Sequence, residues 1–421
     1  MDIQQIYDLF SRFPAVTTDS RKCPKDSLFF ALKGENFNGN KFAQSAIDQG
    51  CAYAFVDEPE YADGKRIFCV DDCLKTLQHL AAYHRDHLGI RIIGVTGSNG
   101  KTTTKELLAA VLGKKYNLTY TQGNLNNHIG VPLTLLSIKK EHELAIVEMG
   151  ASHPGDIEEL VNIAHPNYGL ITNIGTAHIL GFGSFEGVVK TKCELYDYLR
   201  EHKGVAFYHR NNPILEEKSV GMERIPYGTG TSYSAELRGC DPFLHVGWNG
   251  FDILTQLIGA YNFENVLASI AVGSYFGVAP EEIVDAIAHY TPTNSRSQFK
   301  KTASNELIID AYNANPTSMG AALENFKNMV APNKVVILGD MKELGHVSEV
   351  EHQKIADMLP ALHLKQAFLI GTEFAKTNSD ALKFDSVDLL NEYLSKNPIS
   401  SSLILVKGSN SMKLTSCVDN L

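Results

Sequence analysis

Apolar positions along the chain fall into two rhythms, and their alternation divides it into three units. In residues 1–88, short apolar runs at 27–32 and 53–56 predict strands, and helically spaced stretches at 42–49 and 73–87 predict helices. From 89 to 293, Ile92, Ile93 and Val95 end a buried strand, and a helix opens at Lys101 and continues as KELLAAVL. Further strands are expected at 144–149 and 168–174, with an apolar helix from about Val131 and a capped helix across 258–268. The run Thr291-Pro292-Thr293-Asn294-Ser295 breaks the pattern and marks a boundary. Beyond it the periodicity alternates strictly. Strands are expected at 307–312, 334–338, 366–370 and 402–406, and helices at 318–329, 348–359, 387–394 and 411–418. The fold class expected is α/β in three domains. A small α/β unit (1–88) is followed by a central unit with a mostly parallel sheet (89–293). A Rossmann-like, doubly wound unit (294–421) completes the chain. No GxGxxG pattern opens the last unit, so dinucleotide binding is not expected there.

The junction at 92–106, IIGVTGSNGKTTTKE, carries the most specific chemistry. Gly97, Ser98, Asn99 and Gly100 bring little bulk, so their backbone N–H groups can converge on one anion at a helix N-terminus. Lys101 is placed to reach the outer phosphates of a nucleoside triphosphate, with the hydroxyls of Thr102 and Thr103 beside it and Thr102 on Mg²⁺. The common phosphate-loop pattern wants a glycine where Val95 stands; Gly94 and Gly97 flank that position instead.

Composition narrows the setting. The 421 residues carry a formal net charge of −10, which argues against a general nucleic-acid binder. Seven cysteines without a CxxC pair read as reduced thiols, no apolar run is long enough to span a bilayer, and the start lacks a secretory pattern. A cytoplasmic protein without a membrane span is expected.

Other residues gain meaning from position. Glu148 ends a buried strand and His178 follows the next one, where open α/β sheets bind ligands; the pair suits a hard cation such as Mg²⁺. Lys190 and Lys192 stand two apart in a helix, and composition prefers neither. Asn262 and Asn265 are spaced to share one helix face. Two polar clusters in the first unit, around Ser20 and Arg21 and around Lys33 and Asn38, read as surface turns or as an anion site.

Taken together these motifs resemble the Mur ligases, ATP-dependent amide-forming enzymes of peptidoglycan precursor synthesis. The resemblance runs through Thr96–Thr103, Glu148-Met149-Gly150, Thr172-Asn173 with His178, Asn262 with Asn265, the 338–345 run with His352, and Lys407-Gly408-Ser409. Asp310-Ala311-Tyr312-Asn313-Ala314-Asn315-Pro316 resembles the branch that adds D-alanyl-D-alanine. The likeness implies ATP and Mg²⁺, with 97–103 on the phosphates and Thr102, Glu148, His178 and Lys192 on metal, Lys192 as a carbamate. It implies Asn262, Asn265, Arg296 and Asp310 on the nucleotide. Ser20, Arg21, Lys33 and Asn38 would hold the UDP-N-acetylmuramoyl-tripeptide, and Asn313 and Asn315 would contact substrate. Lys190 would help depress the Lys192 amine. A monomer is expected. The chain departs from the family at Tyr261 (usually His), Ser295 (usually Gly) and Ile309 (usually an acid).

Other classes stay open on the residues alone: another ligase of the superfamily, including a folylpolyglutamate-synthase-like one, a phosphate-loop kinase, or an idle nucleotide-binding module.

Overall fold

The computed structural model describes residues 1–175, 179–293 and 296–421. His178 lies outside the described residues, as do Asn294 and Ser295 of the boundary run.

The first unit is a four-stranded parallel sheet, ordered Ala15–Thr17, Ser27–Phe30, Tyr53–Val56 and Ile67–Cys69, flanked by helices. Its long helix, Cys73–Leu88, starts with the Asp72 carboxylate accepting from Lys75 N and stops at Gly89, φ 62°. The apolar core does not break there. Phe30, Phe55, Leu77 and Leu80 belong to one buried cluster with Val131, Leu135, Val147 and Leu199 of the central unit.

The central sheet is wholly parallel, in the order Glu223–Tyr227, Val205–His209, Tyr168–Ile171, Arg91–Thr96, Leu144–Glu148, Leu118–Tyr120. Arg91–Thr96 is earliest in the chain yet sits mid-sheet, so the loops leaving it and Tyr168–Ile171 diverge at a topological switch point. Helices Lys101–Leu112, Phe263–Tyr275 and Pro280–His289 cover one face.

That layer also holds an antiparallel sheet the sequence did not announce: Glu236–Cys240, Phe243–Trp248 and Phe251–Ile258. Its last strand ends where a helix was expected. Gly259 turns the chain at φ 96°, a short 3₁₀ turn covers Ala260–Asn262, and the helix begins only at Phe263. The strand expected to reach 174 stops at Ile171, because Thr172 Oγ1 turns to donate to the Asn99 carbonyl at 2.6 Å. The helix expected at 411–418 is instead two 3₁₀ segments, Asn410–Met412 and Leu414–Asn420.

The third sheet runs Gln298–Lys301, Glu306–Asp310, Leu403–Lys407, Lys334–Gly339, Gln366–Ile370, Leu382–Phe384. Only the first pairing is antiparallel, and apolar clusters cover both faces. The expected three-part α/β architecture is the one observed.

The turn after Lys334–Gly339 is pinned by a buried neutral histidine. His352 Nε2 accepts from Met341 N at 3.0 Å while Nδ1 donates to the Ser348 carbonyl at 2.7 Å. Burial holds His352 below its usual 6.5. The unfolded chain therefore binds this proton first, so the stability is present above the unfolded value and lost as pH falls below it. The melting temperature should drop as pH falls below about 6.5, and His352→Gln should flatten that drop. Identical acid profiles for parent and variant would remove His352 from the account.

Candidate active site

The carboxyl ends of the central strands converge on the loop at 97–100. Gly97 and Gly100 have φ of 143° and 78°, and both are pressed from behind. A Cβ on Gly97 would collide with Thr172 Oγ1, and one on Gly100 would come within 2.5 Å of Asn265 Oδ1. The neighbouring strand end grips the loop: Ser98 N donates to the Asn173 carbonyl at 3.0 Å and Asn99 N to Asn173 Oδ1 at 3.0 Å. Lys101 folds back, its Nζ donating to the Gly97 carbonyl at 2.7 Å and the Ser98 carbonyl at 3.3 Å. Burial pushes this ammonium below its ordinary range, with Glu148 opposing the shift.

Glu148 is 1% exposed. Its Oε1 accepts from Asn126 Nδ2 at 2.8 Å and from Thr102 Oγ1 at 3.2 Å. Its Oε2 has no hydrogen-bond partner among the described residues. A buried carboxylate whose Oε1 stands beside a threonine hydroxyl at the cavity wall fits a hard cation whose other ligands come from phosphates and water. Among the described residues no cluster of three His, Cys, Asp or Glu could hold a metal by itself.

Lys192 is buried, with Nζ 3.4 Å from the Ala151 carbonyl and 5.3 Å from the Phe182 ring centroid. Burial first, and the charge of Lys101 second, push its amine down to about 7. This corrects the expectation that Lys190 does so: Lys190 is exposed on the same helix.

Asn262 and Asn265 are buried and tied together, Asn265 Nδ2 donating to Asn262 Oδ1 at 2.8 Å, while Thr104 Oγ1 donates to Asn265 Oδ1 at 3.1 Å. Asn265 thus braces the loop from beneath Gly100.

The third unit closes the other side. Arg296 lies 3.9 Å from the Tyr312 ring centroid, and its buried Nε has no partner among the described residues. Asp310 pairs with Lys407 at 2.5 Å across adjacent parallel strands. Asn315 caps helix Pro316–Asn328 and donates from Nδ2 to Asn99 Oδ1 at 2.8 Å, touching the loop directly. Loop, Glu148, both asparagines, Arg296, Asp310, Asn313, Asn315 and Lys407 line one cavity of about 1050 Å³.

The first-unit candidates do not line that cavity. Arg21 pairs with Asp19 at 2.9 Å, Lys33 with Asp57 at 3.0 Å, and Asn38 donates to both Glu58 oxygens at 3.1 Å. The Ser20 carbonyl accepts from Gln49 Nε2. Sequence reasoning missed Lys105. Lone lysines in helices are usually solvated, and its signal was only its spacing from Lys101 and Thr102.

Three family comparisons match the chain: the Mur ligase family catalytic domain over residues 12–87, the Mur ligase middle domain over 95–273, and the Mur ligase glutamate ligase domain over 295–410. The chain belongs to the Mur ligase family. Among its relatives, the UDP-N-acetylmuramoyl-tripeptide–D-alanyl-D-alanine ligase of Bacillus subtilis is 38% identical, over 96% of this chain and 92% of that protein. The Escherichia coli enzyme of that name is 35% identical over 85% and 81%. A crystal structure of MurF from Acinetobacter baumannii superposes with a TM-score of 0.85 at 31% identity, over 97% and 93% of the two chains. MurF ligase from Thermotoga maritima in complex with ADP gives 0.87 at 25%, over 98% and 97%. Among the described residues no helix is long and apolar enough to cross a membrane.

Gly100→Ala should lower ADP affinity at least ~10-fold, about 1.4 kcal/mol, with helix content retained by circular dichroism. Unchanged affinity would mean that the loop is not the phosphate cradle.

Proposed function

We infer that the chain is an ATP-dependent carbon–nitrogen ligase. It joins D-alanyl-D-alanine to a UDP-N-acetylmuramoyl-tripeptide, with ADP and phosphate as products, in peptidoglycan precursor synthesis. The observation that carries this reading is the shared cavity. A phosphate loop, a buried carboxylate and the cations of the third unit face one space, as a reaction that must hold a triphosphate and an acyl acceptor together requires.

The roles follow from placement. Residues 97–103 cradle the phosphates, Lys101 leaving its loop carbonyls for them. Asn262 and Asn265 support the nucleotide side, and Arg296 and Asp310 approach it from the third unit. Thr102 and Glu148 hold Mg²⁺, with His178 as a further ligand by resemblance. Mg²⁺, when bound, withdraws charge from phosphoryl oxygens.

The tripeptide carboxylate attacks the terminal phosphorus and its bond to ADP breaks, giving an acyl phosphate. The amine of D-alanyl-D-alanine then attacks the acyl carbon, the C–N bond forms, and phosphate leaves as the amine releases a proton. Lys101 and the loop amides neutralise charge in the first step. Asn313 and Asn315, on the third unit, position the incoming dipeptide and help exclude water, which would hydrolyse the acyl phosphate.

The three units divide the work at 1–88, 89–293 and 294–421. The first binds the UDP end through Ser20, Arg21, Lys33 and Asn38, of which Arg21 is the most exposed and able to exchange its Asp19 partner for a diphosphate. The chain acts as a monomer in the cytoplasm.

ADP release should require the UDP-tripeptide and D-alanyl-D-alanine together. Release with neither present would favour a simple NTPase. Lys101→Ala should reduce turnover by roughly 100-fold or more, a loss of about 2.7–4 kcal/mol in transition-state stabilisation. A variant within threefold of the parent would sink the assignment.

The Lys192 carbamate rests on the family resemblance and on burial of this amine against Ala151. CO₂ would turn the amine into an anionic oxygen donor suited to Mg²⁺. Lys192→Ala should lose activity and regain part of it with a small carboxylic acid filling the space, while exposed Lys190→Ala stays active unaided. Rescue of Lys190→Ala alone would shift the assignment by two residues, and no rescue of either would remove the carbamate.

A further inference from the structure

Behind Glu148, on the side away from the cavity, stands a lysine that the mechanism does not use. Lys105 lies on helix Lys101–Leu112, one turn beyond Lys101 and Thr102, and is fully buried. It is not among the residues lining the cavity. Its Nζ has no hydrogen-bond partner among the described residues, and neither has Glu148 Oε2; the two unpartnered atoms face each other at 3.9 Å. On its other side Lys105 meets Glu106 Oε1 at 3.6 Å, and Glu106 Oε2 accepts from Tyr290 Oη at 2.5 Å. The Tyr120 ring centroid, 5.6 Å away, completes the surroundings.

Two opposite charges are removed from water here without a direct hydrogen bond between them. The geometry explains what the arrangement does. The Lys105 ammonium is too far from Oε2 for a hydrogen bond, yet close enough to stabilise it at low dielectric. Oε1 is thereby left on the side shared with cavity-lining Thr102 and Asn126. We propose that Lys105 is a positioning residue for the Glu148 carboxylate, holding it oriented from behind so that it presents Oε1 to a divalent cation. Glu106, anchored by Tyr290, keeps Lys105 from swinging away. The inference rests on the ligase reading above in taking Glu148 as the cation's carboxylate.

The test separates the two. ADP binding is measured by calorimetry with Mg²⁺ and with EDTA, and the ratio of the two affinities is the readout. If the parent shows no gain from Mg²⁺, the ligase reading of Glu148 fails. If it shows a gain, Lys105→Met should reduce that gain at least tenfold while leaving metal-free ADP affinity within twofold, since Lys105 does not reach the cavity. Lys105→Arg, which keeps the charge, should retain part of the gain. A purely structural role would lower both affinities together. That result, or an undiminished or increased gain in Lys105→Met, overturns the proposal. Should Lys105→Met fail to give a cooperative melt, Tyr290→Phe provides the second reading. Removing this one of Glu106's contacts should reduce the Mg²⁺ gain by a smaller factor, and no change in that gain overturns the proposal equally.

Discussion

A carboxylate buried at the end of a parallel strand is the constraint around which the central unit is arranged. Taking Glu148 out of water costs several kcal/mol unless its charge is compensated. Compensation comes from three directions: Asn126 and Thr102 on one oxygen, and Lys105 across a gap on the other. At ~4 Å and an effective dielectric near 20, a pair of unit charges is worth about 4 kcal/mol, which offsets part of that cost without closing a hydrogen bond. The site is thus left one cation short of full satisfaction. The strand that carries Glu148 pairs directly with the strand that delivers the phosphate loop, so cation and phosphates are brought together by sheet register rather than by loop flexibility.

The loop itself is shaped by what presses on it. Thr172 and Asn173 hold it from the adjacent strand end, Asn265 fills the space beneath Gly100, and Asn315 reaches it from the third unit. Each contact uses a side-chain amide or hydroxyl against loop backbone or Asn99, so the loop is fixed before any ligand arrives. Preorganisation of this kind is what lets backbone N–H groups stabilise charge without rearranging during the reaction. The contact from Asn315 also ties the third unit's helix cap to the phosphate site, giving that unit's position a direct chemical consequence.

Much of this was legible in the chain because it depends on local rules. Strand–glycine–lysine–threonine specifies its own geometry, and the alternating last unit gave its parallel sheet through periodicity alone. Glu148 was found because a carboxylate at a strand end stands out. Lys105 was not, since nothing within one sequence separates a buried lysine from a solvated one; its meaning comes from Glu148, 43 positions away. The antiparallel sheet at 236–258 was missed for a related reason. In its last strand Leu254 is exposed and Thr255 buried, which breaks the apolar–polar alternation, and a register shift interrupts each pairing. The Lys190 expectation failed because sequence proximity was taken for spatial proximity. One residue faces water, and the cation that, after burial, pushes Lys192 down is Lys101, from another helix.

That last pairing shows how the cavity is tuned. Lys101 is half-buried at the cavity and Lys192 is buried, and the charge of the first disfavours a charge on the second. Two amines whose charges oppose each other can relax in only a few ways: one gives up its proton, one becomes an anion by modification, or an anionic ligand binds nearby. Lys101 meanwhile satisfies itself on two loop carbonyls, an arrangement that a phosphate can displace with little backbone movement. The Lys101 charge and the incompletely compensated Glu148 carboxylate, both lining the cavity, would both be relieved by a polyphosphate with its divalent cation. Neither ion alone would do so: the polyphosphate would face Glu148, and the cation would face Lys101.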